Sequence, residues 1–373
     1  MSIQRLTDIA ITGISTCIPA HVVDNQMLSP QFADGELDKI IASTGIQKRH
    51  TCTPEQTALS LGLTAVQSLL ENKDIAIADI TLVVFVTQTP DQPFPGNAVH
   101  IQHQLGLAKS TLAFDVNLGC SGFVNGLWVV GQLLQGMPGK HALLLTGDST
   151  STQYQYDNTK VNMLFGDACS ATLLSHSPDA PDMVFDLGSD GAGAPYLCQP
   201  FGGAKAPNSE ANMHMDGTQV FAFTLREIPK SIAQCLAASH KTIHDIDYAV
   251  LHQANQMMLQ HLGDKIGLTA EQNILALSQY GNTSSASIPL ALCDQLPTKL
   301  APKQSLQSNS EGASLELSQA RNVDNQVSET PDKSTHNSSH LSLLLSGFGV
   351  GWSWGSCCLS LRKDVSLNLV VLD

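Results

Sequence analysis

Four short segments in the first half of the chain recur in the same order in the second half. DITLVVFV starts at Asp79 and matches DIDYAVLH, which starts at Asp245; each follows a helical pattern. LAFDVNLGCSG ends at Gly122 and matches ILALSQYGNTSS, which ends at Ser285. Two further pairs complete the series: KHALLLTGDST with HLSLLLSGFGV, and DACSATLLS with GSCCLSLRK. A single match between apolar strands means little, but the shared order indicates an internal duplication.

Short β-branched runs alternate with helical patterns throughout, which is typical of α/β proteins. The duplication predicts two α/β halves, residues 1–178 and 179–373, related by a pseudo-twofold axis. The second half is interrupted at about 303–340 by a segment rich in Ser, Asn and Gln. Its composition predicts a flexible surface insertion, with a partner-binding arm as the alternative. The tail after Lys363 is predicted to add one strand.

The bulk composition excludes several classes of protein. Of the 373 residues, 42% are hydrophobic and 14% are charged, which predicts a globular chain. The formal net charge of −14 would repel phosphates, so nucleic acid is not an expected partner. No apolar run approaches the roughly 18 residues that a membrane span needs. The nine cysteines form no paired framework and no secretory-type apolar segment follows Met1, which together favour the cytoplasm.

The duplication also predicts a site. When the third strand and turn of each half are aligned, Cys120 falls opposite Asn282, and His252 ends another second-half strand. Sites in α/β sheets form beyond the carboxyl ends of the strands, and a twofold axis brings the two sets of ends into one cleft. Cys120, His252 and Asn282 are therefore candidates for a single site.

Cys120 stands between a strand-like run and a helical pattern. The positive end of a helix dipole favours the thiolate form, which attacks thioesters and can hold an acyl group. The alternative is that Cys120 is an ordinary buried hydrophobe.

The other two candidates suit the same chemistry. His252 could stabilise a thiolate or move protons, and the Asn282 amide could donate hydrogen bonds to an oxyanion. Taken alone, His252 could be structural, and Asn282 could be a turn or cap residue. The glycine-rich turn 347–355 could bring a backbone N–H to the same place. Its glycine spacing, and the strand that follows it, argue against a dinucleotide loop.

Several motifs in correct order resemble the β-ketoacyl-acyl carrier protein synthase III family of the thiolase superfamily. They are GCSGF at Cys120, HQAN at His252, YGNTSSAS at Asn282, GFGVGWSWGS, TGIQKRH, FPGNAVHIQHQLG and LFGDACSATLL. The resemblance implies a thiolase-like duplicated five-layer αβαβα fold, a homodimer, and no metal or redox cofactor. His100 and His103 have helical spacing, but no third ligand is evident in the sequence, so no metal site is predicted.

The resemblance also implies a role for each residue. Cys120 would accept an acyl group from coenzyme A or a carrier protein, and His252 and Asn282 would support decarboxylation of a malonyl-carrier and stabilise its enolate. The backbone N–H groups of Cys120 and Gly351 would form the oxyanion hole. Contacts to the acyl and pantetheine groups are predicted at Phe94 (reaching in from a partner subunit), Phe165, Met215, Phe221 and Asn255.

The sequence departs from the family pattern where the donor would enter. The arginine after HQAN, which the family uses to dock the carrier, is replaced by Met257. A tryptophan that stacks on adenine is absent near Lys39. The arginine before the FGD motif is replaced by Thr159, with Lys160 beside it as a possible contact to an anionic donor.

Three functions fit these residues. The preferred one is a pathway-specialised condensing enzyme. The alternatives are an acyltransferase that passes the acyl group from Cys120 to an alcohol or amine, and a non-catalytic partner subunit. The order of the motifs and the duplication exclude a papain-like hydrolase.

Overall fold

The computed structural model describes residues 3–71, 73, 75–153, 159–200, 202–204, 206–207, 213–301 and 339–373. The strands are β1 Ile3–Leu6, β2 Ile9–Pro19, β3 Val22–Asp24, β4 Lys48–His50, β5 Ile80–Val86, β6 Leu112–Val116, β7 His141–Asp148, β8 Ala168–His176, β9 Met183–Ser189, β10 Leu197–Cys198, β11 His214–Met215, β12 Tyr248–Leu251, β13 His340–Gly349, β14 Ser353–Arg362 and β15 Ser366–Leu372. The helices are α1 Glu36–Thr44, α2 Ala58–Glu71, α3 Asn97–Gln104, α4 Gly122–Gln135, α5 Thr150–Gln153, α6 Thr159–Asn162, α7 Gly217–Ala238, α8 Gln256–Ile266, α9 Leu277–Tyr280 and α10 Ser287–Leu300.

Two large sheets repeat one arrangement. The first has the order β15-β2-β8-β7-β5-β6 and the second has the order β1-β9-β14-β13-β12. In the first sheet β8 runs antiparallel and β5 parallel to β7; in the second, β14 runs antiparallel and β12 parallel to β13. Three of the four sequence matches therefore occupy equivalent strands in the two sheets.

In the fourth match, only the segment from the first half forms a strand. LAFDV forms β6, but its counterpart ILAL forms no named strand; the residue before it, Asn273, makes an isolated bridge to Ala249 of β12. The Gln253 side chain supplies hydrogen bonds to this segment in place of a neighbouring strand. Its amide nitrogen donates to the Ile274 carbonyl, and its amide oxygen accepts the Ala276 N–H. The segment then turns into α9, so the expected strand is absent from this place.

The helices divide into three layers around the two sheets. α2 and α3 cover the outer face of the first sheet, and α7, with α8 against it, covers the outer face of the second. α4 contacts strands of both sheets, and α10 packs between β2 and β12, so these two helices form the middle layer. The order of layers is αβαβα, the thiolase-like arrangement.

β5 shows why these strands are continuously apolar. Leu82, Val84 and Val86 face the core of the middle layer, whereas Val83 and Phe85 face the core under α2. All five side chains are fully buried, and a strand covered on both faces has no position for a polar side chain.

Each large sheet is completed by a strand from the other end of the chain. β1 pairs antiparallel with β9 in the second sheet, and β15 pairs parallel with β2 in the first. The predicted added strand after Lys363 is thus confirmed as β15. The two proposed halves, 1–178 and 179–373, exchange their terminal strands.

The predicted insertion lies almost wholly outside the described residues: only Ser339 and His340 of the 303–340 segment are described. None of the described helices is long and apolar enough to cross a membrane.

Gly131 gives a test of how tightly β1 packs on α4. A Cβ added at Gly131 would overlap the fully buried Leu6 side chain, whereas one at Gly136 would come no closer than 3.6 Å to the Leu133 carbonyl oxygen. We expect Gly131→Ala to lower the free energy of unfolding by about 1–3 kcal/mol, because the overlap forces side chains off their preferred rotamers. Gly136→Ala is the matched control and should change it little. Urea unfolding measures both, and equal effects would contradict the prediction.

Candidate active site

Cys120 lies between β6 and α4, directly before the Ser121 N-cap of the helix. The thiol-bearing residue is 7% exposed. The glycine-rich turn packs against it: a Cβ on Gly349 would lie 2.7 Å from the Cys120 Cβ, and a Cβ on Gly347 would lie 2.9 Å from its carbonyl oxygen. Only glycine allows this approach. The predicted placement of Cys120 at the start of a helix is confirmed, although the strand ends at Val116, earlier than Leu118.

His252 follows the last residue of β12 and is held from both sides. Its backbone N–H donates to the Ser346 carbonyl at 2.8 Å, and its Nδ1 lies 2.7 Å from the Ser287 hydroxyl. The Phe348 ring packs edge-on against the imidazole with 5.6 Å between centroids. The Gln253 N–H donates to the same Ser287 oxygen at 3.4 Å. Because Nδ1 is engaged by Ser287, Nε2 is the ring nitrogen left for the cavity.

Asn282 is fixed by its own turn. Its Oδ1 accepts the Ser284 backbone N–H at 2.9 Å, and its backbone N–H donates to the Leu164 carbonyl at 2.8 Å. Because the carbonyl oxygen of the amide is occupied in this way, the amide NH2 is the part left for the cavity.

The three predicted residues share one cavity of about 80 Å³. The N-terminus of α4, the end of β12, the turn after α9 and the glycine-rich turn thus converge, as the duplication predicts. Apart from Cys120, His252 and Asn282, the lining residues are mainly apolar: Leu164, Phe165, Leu197, Met215, Gly217, Val220, Ala254, Asn255, Met258, Phe348 and Gly349. Phe165, Met215 and Asn255 were predicted contacts and lie here. Asn255 also caps α8, because its Oδ1 accepts the Met258 N–H at 2.8 Å.

Burial keeps both titratable groups of the cavity neutral. It raises the pKa of the Cys120 thiol to about 12, helped by the nearby Asp148 carboxylate and opposed by hydrogen bonding from Ser284. The N-terminus of α4 also opposes the rise. Burial lowers the pKa of His252 to about 3, so the imidazole is uncharged near neutral pH. The site therefore rests as a thiol and a neutral imidazole rather than as an ion pair.

Other predicted residues lie elsewhere. Gly349, rather than Gly351, is the glycine against the sulfur; nothing lies within 4 Å of a Cβ built at Gly351, which lines a neighbouring cavity. Val220 lines the site in place of Phe221, whose ring packs edge-on against His261 because it sits one helical position further round. Phe94 is 85% exposed.

Two of the residues that depart from the family pattern are exposed. Met257 is 41% exposed, and the Ser43 hydroxyl lies 3.8 Å from its sulfur. Lys39 is exposed on α1. The side chain of Lys160 lies outside the part of the chain that the structure describes.

Sequence reasoning missed the residues that hold the site rather than form it. Ser284 and Ser287 orient Asn282 and His252, and Phe348 packs on the imidazole. Both serines stand in YGNTSSAS, so that motif was the available signal. Within the described ranges no group of three His, Cys, Asp or Glu residues could hold a metal ion.

Comparison with known proteins agrees with this geometry. Residues 114–191 match the family model "3-Oxoacyl-[acyl-carrier-protein (ACP)] synthase III", and residues 236–316 match the model of its C-terminal part. The chain is 34% identical to the β-ketoacyl-[acyl-carrier-protein] synthase III of Acaryochloris marina, over 78% of this chain and 89% of the relative. It is 33% identical to the protein of that name from Synechocystis, over 76% and 87%.

Solved structures agree as well. The 3-oxoacyl-(acyl-carrier protein) synthase of Burkholderia xenovorans superimposes with a TM-score of 0.86 at 30% identity, over 100% of this chain and 99% of that one. A priming β-ketosynthase of the R1128 polyketide pathway, 23% identical with a TM-score of 0.76, shares the fold. The chain therefore belongs to the β-ketoacyl-acyl carrier protein synthase III family of the thiolase superfamily and is an acyl-transferring condensing enzyme.

Proposed function

We propose that this enzyme loads an acyl group from acyl-coenzyme A or an acyl-carrier protein onto Cys120 and condenses it with a malonyl-carrier. The observation that carries the proposal is the convergence of Cys120, His252 and Asn282 on one apolar cavity. No metal or redox cofactor enters the chemistry, because thioester exchange and decarboxylation move electron pairs only between substrate and sulfur.

In the loading step the Cys120 sulfur attacks the thioester carbon of the donor. A carbon–sulfur bond to Cys120 forms, the bond to the donor sulfur breaks, and the thiol proton leaves with the departing thiolate. The thioester oxygen becomes negative in between and needs N–H donors. We assign these to the backbone N–H of Cys120 and to the peptide after Gly349, since Gly349 lies against the sulfur.

In the condensing step the malonyl group loses CO2 and its electron pair moves onto the thioester oxygen as an enolate. We assign to His252 the tautomer that carries its proton on Nε2, so that His252 and the Asn282 amide would both be neutral donors to that oxygen. The enolate carbon then attacks the acyl carbonyl, a carbon–carbon bond forms, and the Cys120 sulfur leaves and regains a proton.

The size of the cavity favours a short acyl group. Its volume is about 80 Å³, and Phe165, Met215 and Phe348 close its apolar side. A long chain would need these side chains to move, and the packed interior around the buried Phe165 and Phe348 resists this.

The decisive experiment uses intact-protein mass and CO2 release together. The protein is incubated with a panel of acyl-coenzyme A and acyl-carrier donors, and then with malonyl-carrier. Gain of one acyl group followed by its loss with release of CO2 would support condensation. Gain of the acyl group, no CO2, and transfer to an added alcohol or amine would favour the acyltransferase alternative. No gain from any donor would refute the proposal and favour a non-catalytic partner subunit.

We further propose that the enzyme works as a cytoplasmic homodimer. β6 is an edge strand of its sheet, and Leu112 at its start is 44% exposed. Nearby Phe94 is 85% exposed. Proteins normally cover an apolar strand edge, and a second copy would cover this one while placing Phe94 beside its partner's cavity.

Phe94→Ala is expected to weaken such a dimer by about 1–3 kcal/mol, because it removes an aromatic contact at the interface. Sedimentation at a series of protein concentrations measures the dissociation constant. Met27→Ala, at another exposed apolar residue, is the matched control and should leave it unchanged. A native protein that sediments as a monomer at micromolar concentrations would contradict the dimer.

A further inference from the structure

Another cavity, of about 460 Å³, lies between α7 and the outer face of the second sheet. Cavities of this size bind small molecules in many proteins. It shares no lining residue with the active site, and seven helical residues, or about 10 Å, separate Val220 in that site from Glu227 in this cavity. Its lining residues are Glu227, Lys230, Ser231 and Gln234 of α7, Asp186 and Leu187 of β9, and Trp354 of β14.

A buried carboxylate forms the floor of this cavity. Asp186 lies in the middle of β9 and is 5% exposed. It stands directly opposite Ser356 of β14, and residues that are paired in this way point to the same face of a sheet. The Ser231 hydroxyl of α7 donates to the Ser356 hydroxyl at 2.9 Å. The Asp186 side chain therefore points from the sheet toward α7.

The Asp186 carboxylate has no partner within the described part of the chain: no group there donates a hydrogen bond to it, and no basic side chain lies within 4 Å of it. Lys230 lines the same cavity, but its Nζ is 3.2 Å from a Glu227 oxygen. Glu227 also accepts the Arg226 Nε–H at 2.6 Å. The charges of the helix are thus paired with one another. Because a buried carboxylate without a donor is costly, a partner from solution is expected.

An aromatic ring lies beside this carboxylate. Gly188 is two residues after Asp186 and so lies on the same face of β9. Trp354 is paired with Gly188, and a Cβ built on Gly188 would overlap the indole ring. The glycine therefore makes room for the ring over the strand, next to the carboxylate. An indole face attracts cations, and it also gives hydrocarbon groups a surface to pack on.

We propose that this cavity binds a small organic cation, whose ammonium group pairs with Asp186 and whose hydrocarbon part packs on Trp354. An anion would be repelled by the carboxylate. A metal ion would need more ligands than the cavity offers, since no group of three His, Cys, Asp or Glu residues suited to a metal occurs in the described ranges. The inference does not depend on the proposed acyl transfer.

The test is isothermal titration calorimetry of the native protein at neutral pH with three monoamines of different shape: benzylamine, cyclohexylamine and butylamine. We expect at least one to bind with a dissociation constant of about 1 mM, as is usual for ligands of so few atoms. The alcohol with the same carbon skeleton is the matched probe for each amine and should bind at least about tenfold more weakly. Failure of all three amines to bind, or equal binding of amine and alcohol, would overturn the proposal.

Two variants place the bound amine in this cavity. Asp186→Asn keeps the shape of the side chain and removes its charge, so we expect binding to weaken at least about tenfold. Trp354→Leu should weaken it about fivefold. Asp179→Asn, at an exposed aspartate before β9, is the matched control and should leave it unchanged. Binding that persists in both Asp186→Asn and Trp354→Leu would overturn the proposal.

Urea unfolding without ligand tests whether Asp186 is free of partners. Because Asp186→Asn removes an unpaired buried charge, its unfolding midpoint should be no lower than that of the native protein. A clear fall of the midpoint would show that the carboxylate has a structural partner and would overturn the proposal. The comparison of amines with alcohols uses the native protein, so it stands whether or not a variant folds.

Discussion

Replacement of Cys120 by alanine is expected to lower condensation by about 10³-fold or more, because no other group can carry the acyl intermediate. Intact-protein mass should show no acyl gain in Cys120→Ala with any donor. Release of CO2 from the malonyl-carrier should persist at a low rate, since His252 and Asn282 remain in place to stabilise the enolate. Loss of the acyl adduct with survival of decarboxylation would separate the two steps that we assign to different residues.

The control for this variant is Cys198→Ala. Cys198 is half-buried, whereas the other cysteines of the described chain are buried, so it is the most accessible competing thiol. Its replacement should leave acylation and condensation close to those of the native enzyme. An adduct that survives in Cys120→Ala and disappears in Cys198→Ala would refute the assignment of the nucleophile.

Asn282→Asp is expected to lower condensation by about 10²–10³-fold, the usual effect of losing one oxyanion donor. The replacement keeps the shape of the side chain and its contact with the Ser284 N–H, but exchanges a donor for a charge that repels the enolate. Acylation of Cys120 should persist in the variant, so mass spectrometry and CO2 release report on different steps. Asn368→Asp, on β15, is the matched control and should have near-native activity.

The same reasoning applies to His252. Because burial lowers its pKa to about 3, the imidazole acts as a neutral donor over the whole physiological range. His252→Gln, which retains an N–H donor, should therefore keep more condensing activity than His252→Ala. The condensation rate should not fall between pH 8 and 6, since the neutral form is lost only as pH approaches the lowered pKa. A fall with a midpoint near 6.5 would contradict the lowered pKa, because it would show that His252 is protonated, and inactive, at that pH; a rise over the same range would show that a charged imidazole is needed.

The residues of the reaction could be predicted from the sequence because the duplication linked them. Cys120 and Asn282 are equivalent positions in the two halves, and the carboxyl ends of matched strands must meet in one cleft. Which neighbouring residue faces the cavity depends instead on fractions of a helical or strand turn. The turn 347–355 contains several glycines, and only its three-dimensional path distinguishes Gly349, against the sulfur, from Gly351. Val220 and Phe221 likewise differ only in which face of α7 they occupy.

The strand predicted at ILAL failed for a related reason. The apolar pattern is that of a strand, but the Gln253 side chain supplies the hydrogen bonds that a neighbouring strand would supply. A buried glutamine 20 residues or more from its partners in sequence leaves no local signal. Ser284 and Ser287 were missed although the motif that contains them was recognised, because their roles arise from tertiary contacts.

The exchange of β1 and β15 between the sheets bears on how the chain can be divided. A fragment ending near residue 178 would lack β15 and leave the edge of β2 open, while the complementary fragment would lack β1 and leave the edge of β9 open. Open edges of this kind invite pairing with other chains. The C-terminal strand is further anchored by the Gln56 amide, which donates to the carbonyls of Leu372 and Asp373. The two ends of the chain therefore tie the two halves together. If this protein is divided at that boundary, each fragment should need the other to complete its sheet.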